Sequence, residues 1–378
     1  MGNFNMFPPE IILEILARLS TESILHCKLV CQQWRDLISH PTFLQMQLTH
    51  LNHPYSTDSS KLGFLFLYQN EGNPMYNHFF YFEYSENQDE TPFNGIIRVN
   101  IHPPFMFYKI HNSCNGLIYL GVSHDNNYSM FDACICNPIT KEYVVLPKLE
   151  ERYTRNGRVM SGFDYIPLTN EYKVIRIYNE PEKPDVGLVE VYTLGSGNGW
   201  RNVGEFNHEI VLFARRHGTF VNGAIYWIKG YQTIVMFDLV HEIFRVVSLS
   251  TFPVKMLCRT FTSYSCKIGA LGGYLMCATV DRKVGISEIW LLEEKNGNHD
   301  ANGIWRKKLS VVHTLRPFAL LKSGEVLYYN DTNLYVHNPT IPSLEMLVNM
   351  DEEISRPIPH MNTLVSLKAL GEEDTQMM

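Results

Sequence analysis

The sequence predicts a mainly β protein in which a three-helix N-terminal region precedes a β-propeller, with six blades favoured and seven as the alternative. Three observations support this prediction. An apolar pattern with the period of a helix is confined to residues 7–48, a strand-and-turn pattern begins at Lys61, and equivalent turns recur about every fifty residues. With 378 residues, 45% of them hydrophobic, the chain can bury sizeable cores.

The first helix is predicted from its start signal and its period. Pro8 and Pro9 suit the first turn of a helix, where the missing N–H of proline costs little. Glu14 and Arg18 form a pair of opposite charge four residues apart on one side. The apolar residues share the other side of the helix: Ile11, Ile12, Ile15, Leu16 and Leu19.

Two further helices are predicted before Pro41. Ser20 or Thr21 would cap a second helix that continues to Val30, and a third would run from about Cys31 to residue 38. The third helix would end before Pro41, because proline disfavours helical geometry in the residue that precedes it. Three helices in about forty residues cannot bury this much apolar surface among themselves. Either they pack on the rest of the chain or a second protein covers them.

The region after Lys61 predicts antiparallel blades. Turn residues precede strand-like runs at five positions: Asn115-Gly116, Thr169-Asn170, Asn222-Gly223, Gly272-Gly273 and Ser323-Gly324. The second residues of these turns are 54, 53, 50 and 51 positions apart. Each period contains four strand-like runs, which is typical of propeller blades rather than of a sandwich. Residues 61–100 offer three more strands, and we expect residues 363–370 to supply the fourth and close the ring.

Composition argues against several functional classes. The 32 basic and 39 acidic residues give a net charge of −7, which does not favour a general nucleic-acid binder. The eight cysteines form no C-x-x-C pair, so we expect neither a metal site nor a cofactor from them. The N-terminal residues lack signal-peptide and myristoylation patterns, and no run is long enough to span a bilayer. We therefore expect a cytoplasmic and/or nuclear protein.

Sequence motifs for catalysis are also missing. The chain contains no G-x-x-x-x-G-K-[ST] phosphate loop, H-E-x-x-H zinc helix or G-x-S-x-G nucleophile elbow. The glycine-rich residues 195–199 lie between two predicted strands, which favours a hairpin over an anion site at a helix N-terminus. Cys134 and Cys136 fall on one face of a predicted strand, where core packing is the expected role. We expect no catalytic residues.

Residues 7–43 resemble a known family. The runs Phe7-Pro-Pro-Glu-Ile-Ile-Leu-Glu-Ile-Leu-Ala-Arg-Leu, Ser23-Ile-Leu-His-Cys-Lys-Leu-Val-Cys-Gln-Gln-Trp-Arg-Asp-Leu-Ile and Pro41-Thr-Phe are similar to an F-box, with Phe7 where the family usually has leucine. The resemblance implies docking onto the Skp-family adaptor, and through it onto the cullin and RING subunits, of a ubiquitin ligase. It also implies the residues that form or support the adaptor interface: Phe7, Pro8, Ile11, Ile12, Ile15, Leu16, Val30, Cys31, Trp34, Leu37 and Ile38.

The strand-rich region resembles the F-box-associated domain of a large plant family. The resemblance rests on Ser113-Cys-Asn-Gly-Leu-Ile, Cys136-Asn-Pro-Ile-Thr-Lys-Glu-Tyr, and Phe163-Asp-Tyr followed by Tyr172-Lys-Val-Ile. Members of that family are regarded as Kelch-like substrate receptors, so a client protein is implied. We expect an F-box over residues 1–50, a linker over 51–60, a substrate-binding propeller over 61–370 and a disordered tail over 371–378.

One set of predicted connections is unusually basic. Segments that join the last strand of one blade to the first strand of the next lie on one face of a propeller. They carry Lys109, Arg152, Arg155, Arg158, Arg215, Arg216, Lys255, Arg259 and Arg316, against a single acid, Glu151. Because arginine binds carboxylate and phosphate in a bidentate manner, our hypothesis is that this face recruits an acidic or phosphorylated segment of the client.

Two functions therefore remain under consideration. The first is a non-catalytic substrate-recognition subunit of an SCF-type (Skp–cullin–F-box) E3 ubiquitin ligase. The second is a propeller enzyme, or a glycan- or small-molecule-binding module, with an unrelated helical N-terminus. The second predicts clustered acids, metal ligands or stacked aromatics at the central mouth of the propeller.

Overall fold

The computed structural model describes residues 8–51, 61–68, 78–87, 91–105, 108–122, 132–150, 153, 159–180, 182–206, 217–229, 233–247, 264–281, 284–293, 303–312, 314–338 and 343–378. Four helices come first: α1 (Pro9–Ala17), α2 (Thr21–Cys27), α3 (Gln32–Ser39) and α4 (Pro41–Leu51). Within the described ranges, no helix is long and apolar enough to cross a membrane.

Helices α1 and α3 begin and end close to the predicted positions, whereas α2 begins as predicted but ends at Cys27 rather than at Val30. Pro8 is the residue before α1, and Pro9 occupies its first position. Ser20 caps α2, because its hydroxyl accepts a hydrogen bond from the Ser23 N–H at 3.3 Å. Arg18 bonds the carboxylate of Glu14 at 3.5 Å, as the spacing of the two residues predicts.

The helix α4 was not predicted. His40 is extended, with φ −71° and ψ 135°, so α3 does end where the proline rule requires. Pro41 then begins a new helix, since the first turn is the one helical position that tolerates a missing N–H. Pro41 therefore both ends α3 and starts α4.

The strands form six antiparallel sheets arranged as blades. Blade 1 contains β1 (Lys61–Tyr68), β2 (His78–Ser85), β3 (Phe93–Val99) and a late strand, β24 (Ile358–Pro359). Blade 2 contains β4 (Tyr108–Cys114), β5 (Leu117–Val122), β6 (Ala133–Cys136), β7 (Glu142–Val145) and a fifth, C-terminal strand, β25 (Gln376–Met377). Blade 3 contains β8 (Val159–Ile166), β9 (Glu171–Glu180), β10 (Lys183–Thr193) and β11 (Trp200–Phe206).

The remaining blades have four strands each. Blade 4 contains β12 (Thr219–Val221), β13 (Ala224–Lys229), β14 (Thr233–Asp238) and β15 (Ile243–Val247). Blade 5 contains β16 (Tyr264–Leu271), β17 (Tyr274–Asp281), β18 (Ile286–Glu293) and β19 (Ile304–Val312). Blade 6 contains β20 (Arg316–Leu320), β21 (Val326–Tyr329), β22 (Asn333–Asn338) and β23 (Ser343–Asn349). The prediction of six blades is confirmed.

The turns inferred from the repeat join the first and second strands of their blades. Asn115 and Gly116 have φ angles of 48° and 81°, and Asn222 and Gly223 have 48° and 82°. Two consecutive left-handed residues define the type I′ turn, whose twist matches that of the strands it joins. The pairing registers of β4 with β5 and of β12 with β13 close directly onto these turns.

The ring is closed by a different segment from the one predicted. Ile358 and Pro359 pair with Leu65 and Phe64 of β1, and this short strand lies next to β4 of the neighbouring blade. Residues 363–370 form no strand; Leu364 and Leu367 are fully buried there instead. The inner strand of blade 1, β24, thus lies upstream of the predicted segment. Pro357 precedes β24 and Pro359 lies in it, and because proline is uncommon within strands, the sequence did not indicate a strand here.

The C-terminal tail is ordered, which corrects the prediction of disorder over residues 371–378. Gln376 and Met377 pair with Tyr143 and Glu142 of β7. The carboxylate of Glu372 is buried and accepts hydrogen bonds from the Tyr192 hydroxyl at 3.0 Å and the Gly195 N–H at 2.7 Å. The polar composition of the tail indicated disorder, but specific partners for its backbone and its acid outweigh that tendency.

Candidate functional site

Helix α1 buries one apolar strip and exposes another. Ile12 and Leu16 are each 2% exposed and pack in the core of the helical region. Ile11 and Ile15, one residue earlier in each case, are 45% and 43% exposed. Because residues four apart lie on the same helix face, Ile11 and Ile15 form a continuous apolar strip that the chain itself leaves uncovered.

The turn between α2 and α3 is a second uncovered apolar surface. Leu29 is 75% exposed, Val30 is 65% exposed, and Cys31 is also exposed with a free thiol. Leu29 is not among the predicted adaptor residues, and the predicted second helix continued through it. Helix α2 ends at Cys27, so Leu29 instead projects from the turn.

The other predicted adaptor residues divide between surface and core. Pro8 is exposed, Trp34 and Leu37 are half-buried, and Ile38 is fully buried. Ile38 lies in the same core cluster as Ile12 and Leu16. Trp34 and Leu37 pack against this cluster, so all three predicted residues support the exposed apolar surfaces from the core side. Phe7 lies outside the described residues.

The opposite side of the helical region packs on the propeller. Leu48 of α4 is 5% exposed and lies in an apolar cluster with residues of blades 2 and 3, including Tyr119 and Phe163. Leu364, which follows the ring-closing strand, is 1% exposed and belongs to the core cluster of the helices. The helices and the propeller therefore share apolar core across their boundary.

Polar contacts accompany this packing. The Thr21 hydroxyl donates to the carbonyl oxygen of Asn362 at 2.7 Å, and the buried Gln47 amide donates to the Thr21 hydroxyl at 3.1 Å. Burial at this boundary lowers the pKa of Lys28, which the nearby carboxylate of Glu142 partly offsets. One face of the helical region therefore packs on this chain, as the first alternative predicts, and another face stays open.

The two described residues of the predicted basic face, Lys109 and Arg316, lie at the end of the propeller away from the helices. The helices contact the end of the blades that carries the Asn115-Gly116 turn. Lys109 and Arg316 lie at the start of the inner strands β4 and β20, which is the other end of those strands. Arg316 bonds Asp331 at 3.1 Å and lies 5.5 Å from the centre of the Tyr329 ring. The other predicted basic residues, Arg152, Arg155, Arg158, Arg215, Arg216, Lys255 and Arg259, lie outside the described residues.

Two serine–histidine pairs join neighbouring inner strands of the ring. Ser113 Oγ lies 2.7 Å from His360 Nδ1, and Ser161 Oγ lies 2.9 Å from His217 Nδ1. Burial lowers the pKa of His360 to about 4, so this ring is neutral at pH 7. His360 directly follows β24 and His217 precedes β12, so each pair links two neighbouring blades, which indicates a role in holding the ring together. In the described part of the chain, no three His, Cys, Asp or Glu side chains group as a metal site.

Comparison with protein families identifies both regions of the chain. Residues 4–46 match the F-box domain. Residues 63–337 match the F-box associated beta propeller domain. The two matched ranges correspond to the helices and the bladed ring seen in the structure.

Curated relatives agree with these matches. The putative F-box protein At1g53550 of Arabidopsis thaliana is 26% identical over 342 residues, which cover 86% of this chain and 78% of that protein. The F-box protein At5g65850 of the same species is 27% identical over 294 residues, which cover 76% of this chain and 67% of that protein.

Solved structures give weaker likenesses. A putative 6-phosphogluconolactonase from Bacteroides uniformis has 11% identity and a TM-score of 0.42, covering 84% of this chain and 100% of that chain. An oligogalacturonate lyase from Vibrio parahaemolyticus has 10% identity and a TM-score of 0.40, covering 75% of this chain and 79% of that chain. These likenesses carry no argument about function. The family matches do, and they show that this chain belongs to the F-box proteins that carry an F-box-associated β-propeller domain.

Proposed function

We propose that this chain is the substrate-recognition subunit of an SCF-type E3 ubiquitin ligase, which recruits a client protein for ubiquitination and proteasomal degradation. The observation that carries the proposal is the uncovered apolar surface of the F-box. Ile11, Ile15, Leu29 and Val30 are between 43% and 75% exposed, while their neighbours Ile12 and Leu16 are buried. A Skp-family adaptor is the partner that would cover these four side chains, and cullin and RING subunits would join through it.

The chain would contribute proximity rather than covalent chemistry. By holding the adaptor at one end and the client at the other, it would raise the effective concentration of client lysines near the ubiquitin-loaded enzyme. The propeller would act as a Kelch-like, non-catalytic client-binding domain. The expected setting is the cytoplasm and/or the nucleus.

Client binding is proposed for the propeller face away from the F-box. That end would present the predicted basic connections to solvent without interference from the adaptor. Reversing the charge of Arg155, Arg215 and Arg259 together should abolish capture of a client with an acidic or phosphorylated segment. Unchanged capture by this triple variant would rule out the basic face as the client site.

The described inner strands of the propeller do not show the clustered acids that the alternative of a propeller enzyme predicts. Clustered acids at the mouth were expected, yet the six inner strands contain one acid, Asp164. This residue is buried, burial raises its pKa to about 7, and its carboxylate accepts bonds from the Tyr165 N–H at 2.6 Å and the Asn112 amide at 3.3 Å. An acid with these partners stabilises the local fold.

The test of the proposal is reconstitution of the complex. The full chain is mixed with a purified plant Skp-family adaptor and then with the cullin N-terminal region, and the mixture is separated by size exclusion with an F-box protein of known binding as reference. We expect co-elution of this chain with the adaptor, and with cullin only when the adaptor is present. Separate elution at concentrations at which the reference protein binds would overturn the proposal.

A further inference from the structure

The segment that follows the ring-closing strand has an unusual course. After β24, residues 360–378, which we name the C-terminal strap, run between the F-box helices and the ends of blades 2 and 3. This strap touches the F-box and the propeller together. The linker between the two domains in sequence, residues 52–60, lies outside the described residues.

The strap is fastened to blade 2 through the side chains of Asn137 and Glu142. The Asn137 amide, fully buried, donates to the carbonyl oxygens of Thr363 at 3.1 Å and Val365 at 2.7 Å. The Glu142 carboxylate accepts from the Leu367 N–H at 2.6 Å. A buried amide and a carboxylate that each bond the backbone of the strap fix its position, because breaking such bonds leaves polar groups without partners.

The strap is also fastened farther along, to blade 3 and the outer edge of blade 2. Glu372 bonds the Tyr192 hydroxyl and the Gly195 N–H, as described above. Beyond it, β25 adds a fifth strand to blade 2, and the Tyr143 hydroxyl donates to the Gln376 side chain at 2.5 Å. The strap is therefore held by the propeller over most of its length.

Adjacent strap residues point into different domains. Leu364 lies in the core cluster of the F-box with Ile24 and Phe43. Val365, the next residue, is 7% exposed and lies in the cluster of blades 2 and 3. In an extended chain successive side chains point to opposite sides, so one strap residue completes the F-box core while its neighbour completes the propeller core.

The F-box also bonds the strap backbone. The Thr21 hydroxyl donates to the Asn362 carbonyl oxygen at 2.7 Å, and Gln47 donates to that hydroxyl at 3.1 Å. Leu48 of α4 meets Val365 and Leu367 in the propeller cluster. The contact between the domains thus combines apolar packing with buried hydrogen bonds, which define one orientation rather than a range of orientations.

We propose that the C-terminal strap is the positioning element of this protein: Leu364, Thr21 and Asn137 fix the F-box on the propeller, so that the orientation of the two domains does not depend on the linker. The F-box core of this chain is incomplete without Leu364 from the far end of the sequence. If the chain is a ligase subunit as proposed above, the strap sets the direction in which a bound client faces the ubiquitin-loaded enzyme.

The test measures docking in the full chain without any partner. Hydrogen exchange of the amides in α1–α3 is compared among wild type, Leu364→Ala, and the matched control Val365→Ala, which removes the neighbouring apolar side chain from the propeller side. We expect exchange in α1–α3 to be faster by about tenfold or more in Leu364→Ala, because its cavity lies in the F-box core. We expect Val365→Ala to change blades 2 and 3 and to leave α1–α3 near the wild-type rate.

Two further variants test the docking of the F-box if Leu364→Ala unfolds the helices completely. Thr21→Val keeps the shape of the side chain but removes the bond to the strap, and it should raise exchange in α1–α3 by a smaller factor. A Gly-Ser insertion within residues 52–60 should leave both exchange and the small-angle scattering dimensions unchanged. Equal exchange in Leu364→Ala and Val365→Ala, or release of the F-box by the insertion alone, would overturn the proposal.

Adaptor binding is measured separately on the same proteins. A wild-type chain that binds no adaptor would count against the proposed ligase function and would leave the exchange result unaffected. A chain that binds adaptor but shows the same exchange in all variants would count against the strap alone. The two ideas can therefore fail independently.

Discussion

The exposed strip on α1 gives the most quantitative prediction. Ile11 and Ile15 are 45% and 43% exposed, so together they present slightly less than one fully exposed isoleucine side chain. Burying such a side chain is worth about 1.5–3 kcal/mol. Replacing both by glutamate also places two charges against an apolar partner surface, which costs about 1–3 kcal/mol for each group left without a partner. The double variant Ile11→Glu/Ile15→Glu should therefore lose about 3 kcal/mol or more of adaptor binding, which is roughly a hundredfold in Kd.

The assay is titration calorimetry of the full chain with a Skp-family adaptor. The matched control is Ile97→Glu/Val246→Glu, which also replaces two exposed β-branched apolar residues by glutamate; these residues are 61% and 54% exposed on the outer strands β3 and β15. We expect this control to bind with the wild-type Kd. Both double variants should keep the wild-type unfolding temperature within a few degrees, since all four positions are exposed.

Substituting the exposed isoleucines tests adaptor binding more specifically than substituting Trp34. The Trp34 side chain packs against the F-box core, so truncating it would lower stability and binding together. An Ile11→Glu/Ile15→Glu variant that is folded and binds the adaptor as tightly as wild type would refute the assignment of this strip to the interface.

Two predictions concern the strap. In urea titrations, Gly116→Ala should lower the free energy of unfolding by about 1–3 kcal/mol more than Gly273→Ala. Both glycines have positive φ (81° and 78°), but a Cβ at Gly116 would meet the Thr363 side chain, whereas a Cβ at Gly273 would meet no heavy atom within 4 Å. Equal losses in the two variants would show that the strap does not contact this turn. His360→Gln should remove one contribution to the pH dependence of stability. Burial lowers the pKa of His360 from 6.5 to about 4 in the folded chain, so between these pH values the unfolded chain binds a proton that the folded chain does not. As the pH falls from 6.5 to 4, the free energy of unfolding of wild type should therefore decrease by up to about 3 kcal/mol relative to that of the variant. A wild-type minus variant difference that stays constant over this window would contradict the buried, neutral state of His360.

The comparison of wild type with His360→Gln cancels the other buried ionisable groups. Burial lowers the pKa of His111, which adds to the loss of stability at low pH. Burial raises the pKa of Asp164 to about 7, and a raised pKa of an acid has the opposite effect, because the folded chain then binds the proton more tightly than the unfolded chain. The raw pH profile of wild type alone therefore does not isolate His360.

The blade pattern was predictable because it depends on local chemistry that repeats. The Asn115-Gly116 and Asn222-Gly223 turns need left-handed backbone, which asparagine and glycine adopt at little cost, and their spacing sets the blade length. The starts of α1 and α2 and the end of α3 were predictable for the same reason, from proline and serine at fixed helix positions.

The features that were missed depend on contacts between distant parts of the chain. Residues 363–370 are apolar enough for a strand, but Leu364 and Val365 are buried between two domains instead. Glu372 is charged and looked disordered, yet it has buried partners in blade 3 that the sequence does not reveal. Helix α4 was missed because Pro41 was interpreted only as the end signal of α3, whereas proline can also begin a helix.

The candidate site was half predictable. The wide apolar face of α1 was recognised, but its sequence does not show that Ile12 and Leu16 turn inward while Ile11 and Ile15 remain open. This division is set by α4 and the strap, which pack against Ile12 and Leu16 and leave Ile11 and Ile15 exposed. The exposure of Leu29 was not predicted, because it follows from where α2 ends.

The exposed thiol of Cys31 offers the most direct test that a second polypeptide covers the open face of the F-box. Cys31 lies beside Leu29 and Val30, and cleavage after Lys28 and Arg35 places all three in one tryptic peptide. We expect iodoacetamide to modify Cys31 readily in the free chain and at least about tenfold more slowly with saturating Skp-family adaptor, while the Ile11→Glu/Ile15→Glu variant loses this protection. A rate of Cys31 modification that is unchanged by saturating adaptor would contradict the account.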